Sequence, residues 1–195
     1  FVSLSGLGSR INTPQTRDLI RRLNLAAITV LNNKGGVLPL HPDLKEVAIL
    51  NVGDGGKTEP FDREIKKYNP FTRFQLRKDL PEVEQQKLRD SLAAYRRIIV
   101  TVTEQRLAPY QSFFARFAPE APAIYVFYTP AKSMLQIQRA VSAAEAVVLA
   151  HAPHDDVQER VADILFGKAT ADGRLSASVG GLFPVGSGVT ITPHT

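Results

Sequence analysis

Ala123-Ile-Tyr-Val-Phe-Tyr-Thr-Pro130, followed by Met134, Ile137, Val141 and Ala144 and then by Ala146-Val-Val-Leu-Ala150, reads as strand, helix, strand. Neither apolar run alternates with polar residues, so both faces of each strand must be covered, as in a parallel sheet. Parallel strands cannot be joined by a tight turn, and the intervening helical spacing supplies the crossover they need. Thr129 and Pro130 open that helix, since a proline in the first turn has no N–H to lose.

The same alternation extends outward in both directions. Ile98-Ile-Val-Thr-Val102 is a third covered run, and Val47-Ala-Ile-Leu-Asn-Val52 a fourth, broken by Gly53-Asp-Gly-Gly56. Phe71-Thr-Arg-Phe-Gln-Leu76 has polar interruptions and predicts an edge or half-exposed strand, while residues 28–31 (Ile-Thr-Val-Leu) end at the turn Asn32-Asn-Lys-Gly-Gly36. Helices are predicted from Thr13-Pro14 to about Ala26, with Leu19, Leu23 and Ala26 on one face, around residues 61–68, and through Val83, Leu88, Leu92 and Tyr95. A last helix carries Val157, Val161, Ile164 and Leu165, with Asp156 and Glu159 as a capping box and Gly167 as its stop. These elements predict an α/β three-layer sandwich: a mostly parallel sheet of about six strands with helices on both faces. Residues 1–12 lack any period and read as an interdomain connector; 13–195 form the sandwich, and 169–195 read as an extended wrapping tail.

A chain of 195 residues suits one domain with a substantial core. Its first residue is Phe1, which suggests excision from something longer, and it has no cysteine, which excludes disulfides and thiolate chemistry. The net charge of +5 is spread over pairs such as Arg21-Arg22, Lys66-Lys67 and Arg96-Arg97, so no nucleic-acid partner is expected. No apolar run reaches the length of a membrane span.

Several stretches resemble chemical motifs. Gly53-Asp-Gly-Gly-Lys-Thr58 follows a strand like a phosphate loop, but the glycine required at the head of that loop is Asn51. A dinucleotide fingerprint starting at Gly53 fails where Thr58 replaces its last glycine. His151-Ala-Pro-His154-Asp155-Asp156 could ligate a metal or pair a base with its orienter. It also sits where a strand gives way to a helix, and Asp is strongly preferred as a helix cap; capping is the reading favoured, with no metal and no cofactor expected. Ser187, between Gly186 and Gly188, lacks the strand that a nucleophile elbow needs. In an open parallel sheet ligands bind beyond the carboxyl ends of the strands. Asp54, Gly55, Gly56, Lys57, Glu104, Thr129, His151 and His154 all lie at such ends and are the candidates to face a ligand or another domain.

Three blocks add a family resemblance. Residues 26–40 (Ala-Ala-Ile-Thr-Val-Leu-Asn-Asn-Lys-Gly-Gly-Val-Leu-Pro-Leu) with the strand of residues 45–53, the tail Ala162-Asp-Ile-Leu-Phe-Gly167 with Gly173-Arg-Leu175, and Phe183-Pro-Val-Gly-Ser-Gly-Val189 resemble the C-terminal α/β domain of glycoside hydrolase family 3. Val185 and Ser187 depart from the family's ending. The resemblance implies a preceding (β/α)8 barrel in the same polypeptide, which supplies the nucleophile, while the sandwich covers the mouth of the active site. It also implies a periplasmic or secreted enzyme acting on a carbohydrate.

Within the family, β-glucosidase-like members take an acid/base Glu from this domain near a Gly-Glu-x-Pro-Tyr-x-Glu stretch. Here Glu104 resembles the first Glu, but Gln111 follows Tyr110 and the second is missing. That favours the β-N-acetylhexosaminidase-like branch, which takes a His from the barrel, and leaves no catalytic residue on this chain. The alternative reading is a stand-alone sugar- or nucleotide-binding module.

Overall fold

The computed structural model describes residues 13–43, 45–55 and 57–194; the stretch read as a connector, 1–12, and the candidate Gly56 lie outside them. In chain order the elements are α1 (Pro14–Ala26), β1 (Thr29–Asn33), β2 (Val47–Val52), α2 (Glu59–Lys66), β3 (Phe71–Leu76), α3 (Glu82–Leu92), β4 (Ile98–Val102), α4 (Gln111–Phe117), β5 (Ile124–Phe127), α5 (Gln138–Ala143), β6 (Ala146–Leu149) and α6 (Asp155–Leu165). The strands form one six-stranded sheet in the order β1, β6, β5, β4, β2, β3. All neighbours are parallel except β1, which runs antiparallel to β6. The α/β sandwich that the apolar runs predict is therefore the observed fold.

Alternate residues of each strand feed two cores. Leu50, Val100 and Tyr125 face a layer built from α3, α4 and α5. Ile49, Ile99 and Val126 face α2, α6 and the start of the tail. This division follows from chain direction: β3 lies on one side of β2, and β4, β5 and β6 on the other. Right-handed crossovers in opposite directions put their helices on opposite faces.

Three local expectations need correction. Leu19 and Leu23 share a stripe on α1 but are 55% and 60% exposed, because α1 lies outside α6 and only Leu25 packs against the core. Val83 is likewise exposed, at the solvent side of the first turn of α3. At α6 the N-cap is His154, whose side chain makes no cap bond, so Asp155 and Asp156 already occupy the first turn. Asp156 accepts from the adjacent Val157 N–H at 2.9 Å and sits 3.4 Å from Arg21, so the predicted capping box does not form. Its charge still favours the helix start.

One element escaped the sequence pattern altogether. Between β4 and β5 a 3₁₀ turn (Ala108–Tyr110) runs into α4, whose Phe113, Phe114 and Phe117 are all buried. Gln-Ser-Phe-Phe-Ala-Arg-Phe is too short to show a period, and no capping side chain marks its start. Phe113 contacts Phe114 edge-on at 5.2 Å and stacks on Phe117 at 5.5 Å, with the Arg89 guanidinium 5.2 Å from its ring centre. Similarly, the helix after Pro130 begins as a 3₁₀ segment (Ala131–Ile137) before α5, although Met134, Ile137, Val141 and Ala144 are buried as their spacing predicts.

Tyr125 stands in the middle of this aromatic layer, 6.0 Å from Phe114 and 6.2 Å from Phe127, and its hydroxyl has no partner. Burial pushes its ionisation far up. An unsatisfied buried hydroxyl costs stability that its removal returns. Tyr125→Phe is expected to raise unfolding free energy by about 1 kcal/mol, read by urea denaturation. A loss instead would mean that a buried water serves the hydroxyl.

The tail runs back along the molecule. Ala171 pairs with Ile191, and Val189 N–H donates to Val30 O at 2.7 Å, so the chain covers the free side of β1. This protects an edge that would otherwise offer unpaired backbone groups. At Gly167, φ is 75° and a side chain would collide with the His194 ring. Glycine is thus required there both for the αL cap and for the close approach.

Candidate functional site at the carboxyl edge of the sheet

From β2 the chain moves one way to β3, then returns past β2 to β4 and onward. The switch point lies between β2 and β4, whose loops lead to helices on opposite faces of the sheet; the crevice expected at such a point is the usual ligand position in open parallel sheets. Gly53 and Asp54 leave β2 here, and Thr103 and Glu104 leave β4. Gly53 adopts φ 139°, and a Cβ on it would stand 3.1 Å from Thr103 Oγ1 and 3.5 Å from Glu104 Oε2. Only glycine lets the two loops approach this closely.

Asp54 is fixed by the Lys78 N–H at 3.0 Å and lies 3.6 Å from Lys78 Nζ. Beneath it Tyr110 is buried with its hydroxyl unpartnered. Burial pushes this phenol up to about 12, and the carboxylates of Glu104, Asp54 and Asp79 reinforce the shift. The crevice thus gathers carboxylate acceptors around a phenol that stays protonated.

A chain of polar side chains braces the floor. Arg73 Nη1 donates to Asp62 Oδ2 at 2.5 Å and to Thr58 Oγ1 at 2.8 Å, and its Nη2 reaches Gln75 Oε1 at 3.2 Å. Gln75 Nε2 donates to Asn51 Oδ1 at 2.9 Å and to Gly53 O. Asn51 Nδ2 in turn donates to Thr101 Oγ1 at 2.9 Å. The chain crosses three strands and holds the Gly53 carbonyl in place. Burial raises the Asp62 carboxyl above its ordinary value, against the pull of Arg73.

The other candidates lie elsewhere along the edge. Lys57 gives its carbonyl to Gln158 Nε2 at 2.8 Å and lines a cavity of about 450 Å3 with Glu59, Pro60, Arg63 and Asp155. His151, at φ 69°, places Nε2 3.2 Å from Ala27 O. Together with His154 it lines a small pocket of about 130 Å3 at the foot of α1. Three strand steps separate β6 from β2, roughly 14 Å at about 4.8 Å per step, so the histidines do not join Asp54 and Glu104. Thr129 is buried and donates to Pro130 O at 3.2 Å, which ties it to the turn after β5. Among the described residues no three His, Asp or Glu side chains converge to hold a metal ion.

Tyr110, Asp79 and the brace from Arg73 to Thr101 were not singled out from the sequence. A polar Asn51 inside an otherwise apolar strand was the available signal, since a fully buried amide demands partners.

The cavity of about 410 Å3 lined by Gly36, His41, Asn69, Arg96 and Arg97 opens at the opposite, amino end of the strands. It shares no residue with the crevice.

No protein-family model matches the sequence, and no curated protein does either. Solved structures do resemble the fold. A β-glucosidase from Listeria innocua matches with a TM-score of 0.64 over 88% of this chain at 15% identity, this chain spanning 28% of that one. A glycoside hydrolase family 3 β-N-acetylglucosaminidase from Paenibacillus sp. str. FPU-7 matches at 0.60 over 83%, with 13% identity and 32% of its length. A fungal multi-domain β-N-acetylglucosaminidase of the same family matches at 0.63 over all of this chain, with 15% identity and 22% of its length. The chain spans less than a third of each of these enzymes.

Proposed function

We propose that this chain is the C-terminal α/β domain of a glycoside hydrolase family 3 enzyme, packed with its carboxyl edge over the mouth of a catalytic barrel in the same polypeptide. The observation that carries this reading is the match of a complete sandwich to about a quarter of much larger glycosidases, together with three motif blocks in the family's order. The crevice suits such a role. Asp54 and Glu104 can accept hydrogen bonds from sugar hydroxyls. We assign the parent to the β-N-acetylglucosaminidase-like branch, acting on a bacterial glycan outside the cytoplasm, because no Glu follows Tyr110 at the place where the other branch carries its second Glu, which here is Ser112.

The test compares the 195-residue chain alone with the chain joined to its native upstream sequence. Alone, it is expected to fold and leave aryl β-N-acetylglucosaminides and β-glucosides intact; joined, it should contribute to turnover of the N-acetylglucosaminide. Clear hydrolysis by the isolated chain overturns the reading. In the joined enzyme Glu104→Gln is expected to raise KM about tenfold with kcat little changed, as for one charge-assisted hydrogen bond lost in both ground and transition states. A collapse of kcat at constant KM would instead make Glu104 the acid/base and move the enzyme to the β-glucosidase-like branch. Calorimetric titration of the isolated chain with N-acetylglucosamine, glucose and ATP separates the stand-alone binding module: submillimolar affinity for any of them supports the module and counts against a covering domain.

A further inference from the structure

Basic residues are scattered along the sequence, but the fold gathers three of them at one place. Arg21 and Arg22 on α1, Arg160 on α6, and Thr170 and Asp172 at the start of the tail line a single cavity of about 310 Å3. Its floor is apolar: Ile28 is buried in the core and Leu25 packs against it. The cavity lies on the flank of α6 where α1 is seated, and none of the crevice residues line it.

The three guanidiniums are unequally engaged. Arg21 Nε lies 3.4 Å from Asp156 Oδ2, and Arg22 Nη2 lies 2.6 Å from Asp18 Oδ2. Each of these pairs uses one nitrogen and leaves the rest of the fork without an acceptor. Arg160 makes no hydrogen bond and no ion pair among the described residues; Asp163, three residues on, attracts it at longer range. Asp172 is the one carboxylate on the cavity wall, and neither its side chain nor the Thr170 hydroxyl is bonded within the protein.

Seating α1 on α6 thus brings like charges together over an apolar floor, where repulsion is stronger than in water because the local dielectric is lower. An anion between them would cancel that repulsion. The guanidinium fork matches the paired oxygens of a carboxylate or phosphate.

We propose that this cavity binds the oxyanion group of a small ligand, a phosphate ester or a carboxylate carried on a body no larger than a monosaccharide. The volume sets the size, because it stands at the lower end of the range for small-ligand sites. Arg160 is the uncommitted cation that meets the anion. The open nitrogens of Arg21 and Arg22 flank it, the Thr170 hydroxyl can donate to it, and Leu25 and Ile28 offer an apolar floor to the body.

The experiment titrates the 195-residue chain with a glucose phosphate, glucuronate and glucose, following backbone amides by NMR. The two anionic sugars are expected to shift the amides of Arg21, Leu25, Arg160 and Thr170 with a dissociation constant on the order of 1 mM, and glucose to leave them in place. Whichever anion binds more tightly identifies the group the site is built for. These amides lie outside the crevice, so the outcome is independent of what the crevice binds. Arg160→Gln removes a guanidinium with no partner in the protein, so the fold should persist while affinity falls about tenfold, as for one charge-assisted hydrogen bond. Lys87→Gln deletes the same charge from the exposed surface of α3, on the other face of the sheet, and should change affinity by less than about twofold, since distant surface charges are screened. Asp172→Asn removes the opposing carboxylate and should tighten binding about threefold, the scale of one exposed charge interaction; a damaged fold cannot mimic that gain. Equal shifts with glucose, equal losses in Arg160→Gln and Lys87→Gln, or weaker binding in Asp172→Asn overturns the site.

Discussion

Phe113→Ala is expected to cost about 3–5 kcal/mol of unfolding free energy, the range for removing a fully buried aromatic ring. The ring stands at the centre of the layer that covers one face of the sheet, contacting Phe114, Phe117 and the Arg89 guanidinium. Nothing nearby can close the gap, because these neighbours are themselves locked: Phe114 against Tyr125, and Arg89 against Glu82 and Gln86. The midpoint of thermal unfolding should fall by roughly 10 °C for a chain of this length. Val83→Ala, on the exposed side of α3, is the control and should stay within about 0.5 kcal/mol. A Phe113 loss no larger than the control's would mean that α4 is a surface appendage rather than the lid of the core.

Asn51→Asp, a change of one atom type, should be as damaging at neutral pH. Asn51 is fully buried; its amide donates to Thr101 and its carbonyl accepts from Gln75. A carboxylate there points a lone pair at the Thr101 carbonyl and buries a charge, while Arg73, the cation of the same hydrogen-bonded chain, is already engaged by Asp62. The expected cost at neutral pH is about 3–5 kcal/mol, typical of an uncompensated buried charge. Protonated, the same side chain can donate to Thr101 O as the amide did. The new carboxyl must therefore titrate higher in the folded state than in the unfolded, and the deficit is smallest in acid and grows as pH rises. Urea melts of variant and parent at matched acidic and neutral pH check this. A difference between them that does not change with pH would show that the brace beneath the crevice is hydrated.

The candidate site was partly legible. Glycine after an apolar strand and acidic residues at strand ends mark Asp54 and Glu104 without a structure, because open parallel sheets bind ligands at that edge. The same argument grouped His151, His154 and Thr129 with them, and here it could not discriminate. Strand order decides which ends are neighbours, and apolar runs of near-equal composition carry no order. Only the structure shows that β2 and β4 are adjacent while β6 lies three strands from β2, and that Thr129 faces inward. Tyr110 was visible only as part of a motif; its buried, unpartnered hydroxyl depends on how α4 and the loop after β3 close around it.

The sequence by itself determined the class of this protein. Unbroken apolar runs separated by helical spacings demand a covered parallel sheet, because that is the arrangement that buries both faces of such strands while supplying the crossovers. It also determined the stop at Gly167 and the half exposure of β3, whose polar residues tolerate it. Tertiary structure alone decided the rest. It turned the apolar stripe of α1 outward, made α4 from a segment with no readable period, and moved the start of α6 to His154. It also placed Tyr68 against Asp163 across residues far apart in the chain. Local propensity spans only a few tenths of a kcal/mol per residue. Burying one side chain, or desolvating one carboxyl, is worth several times more, so packing overrides the local signal wherever the two conflict.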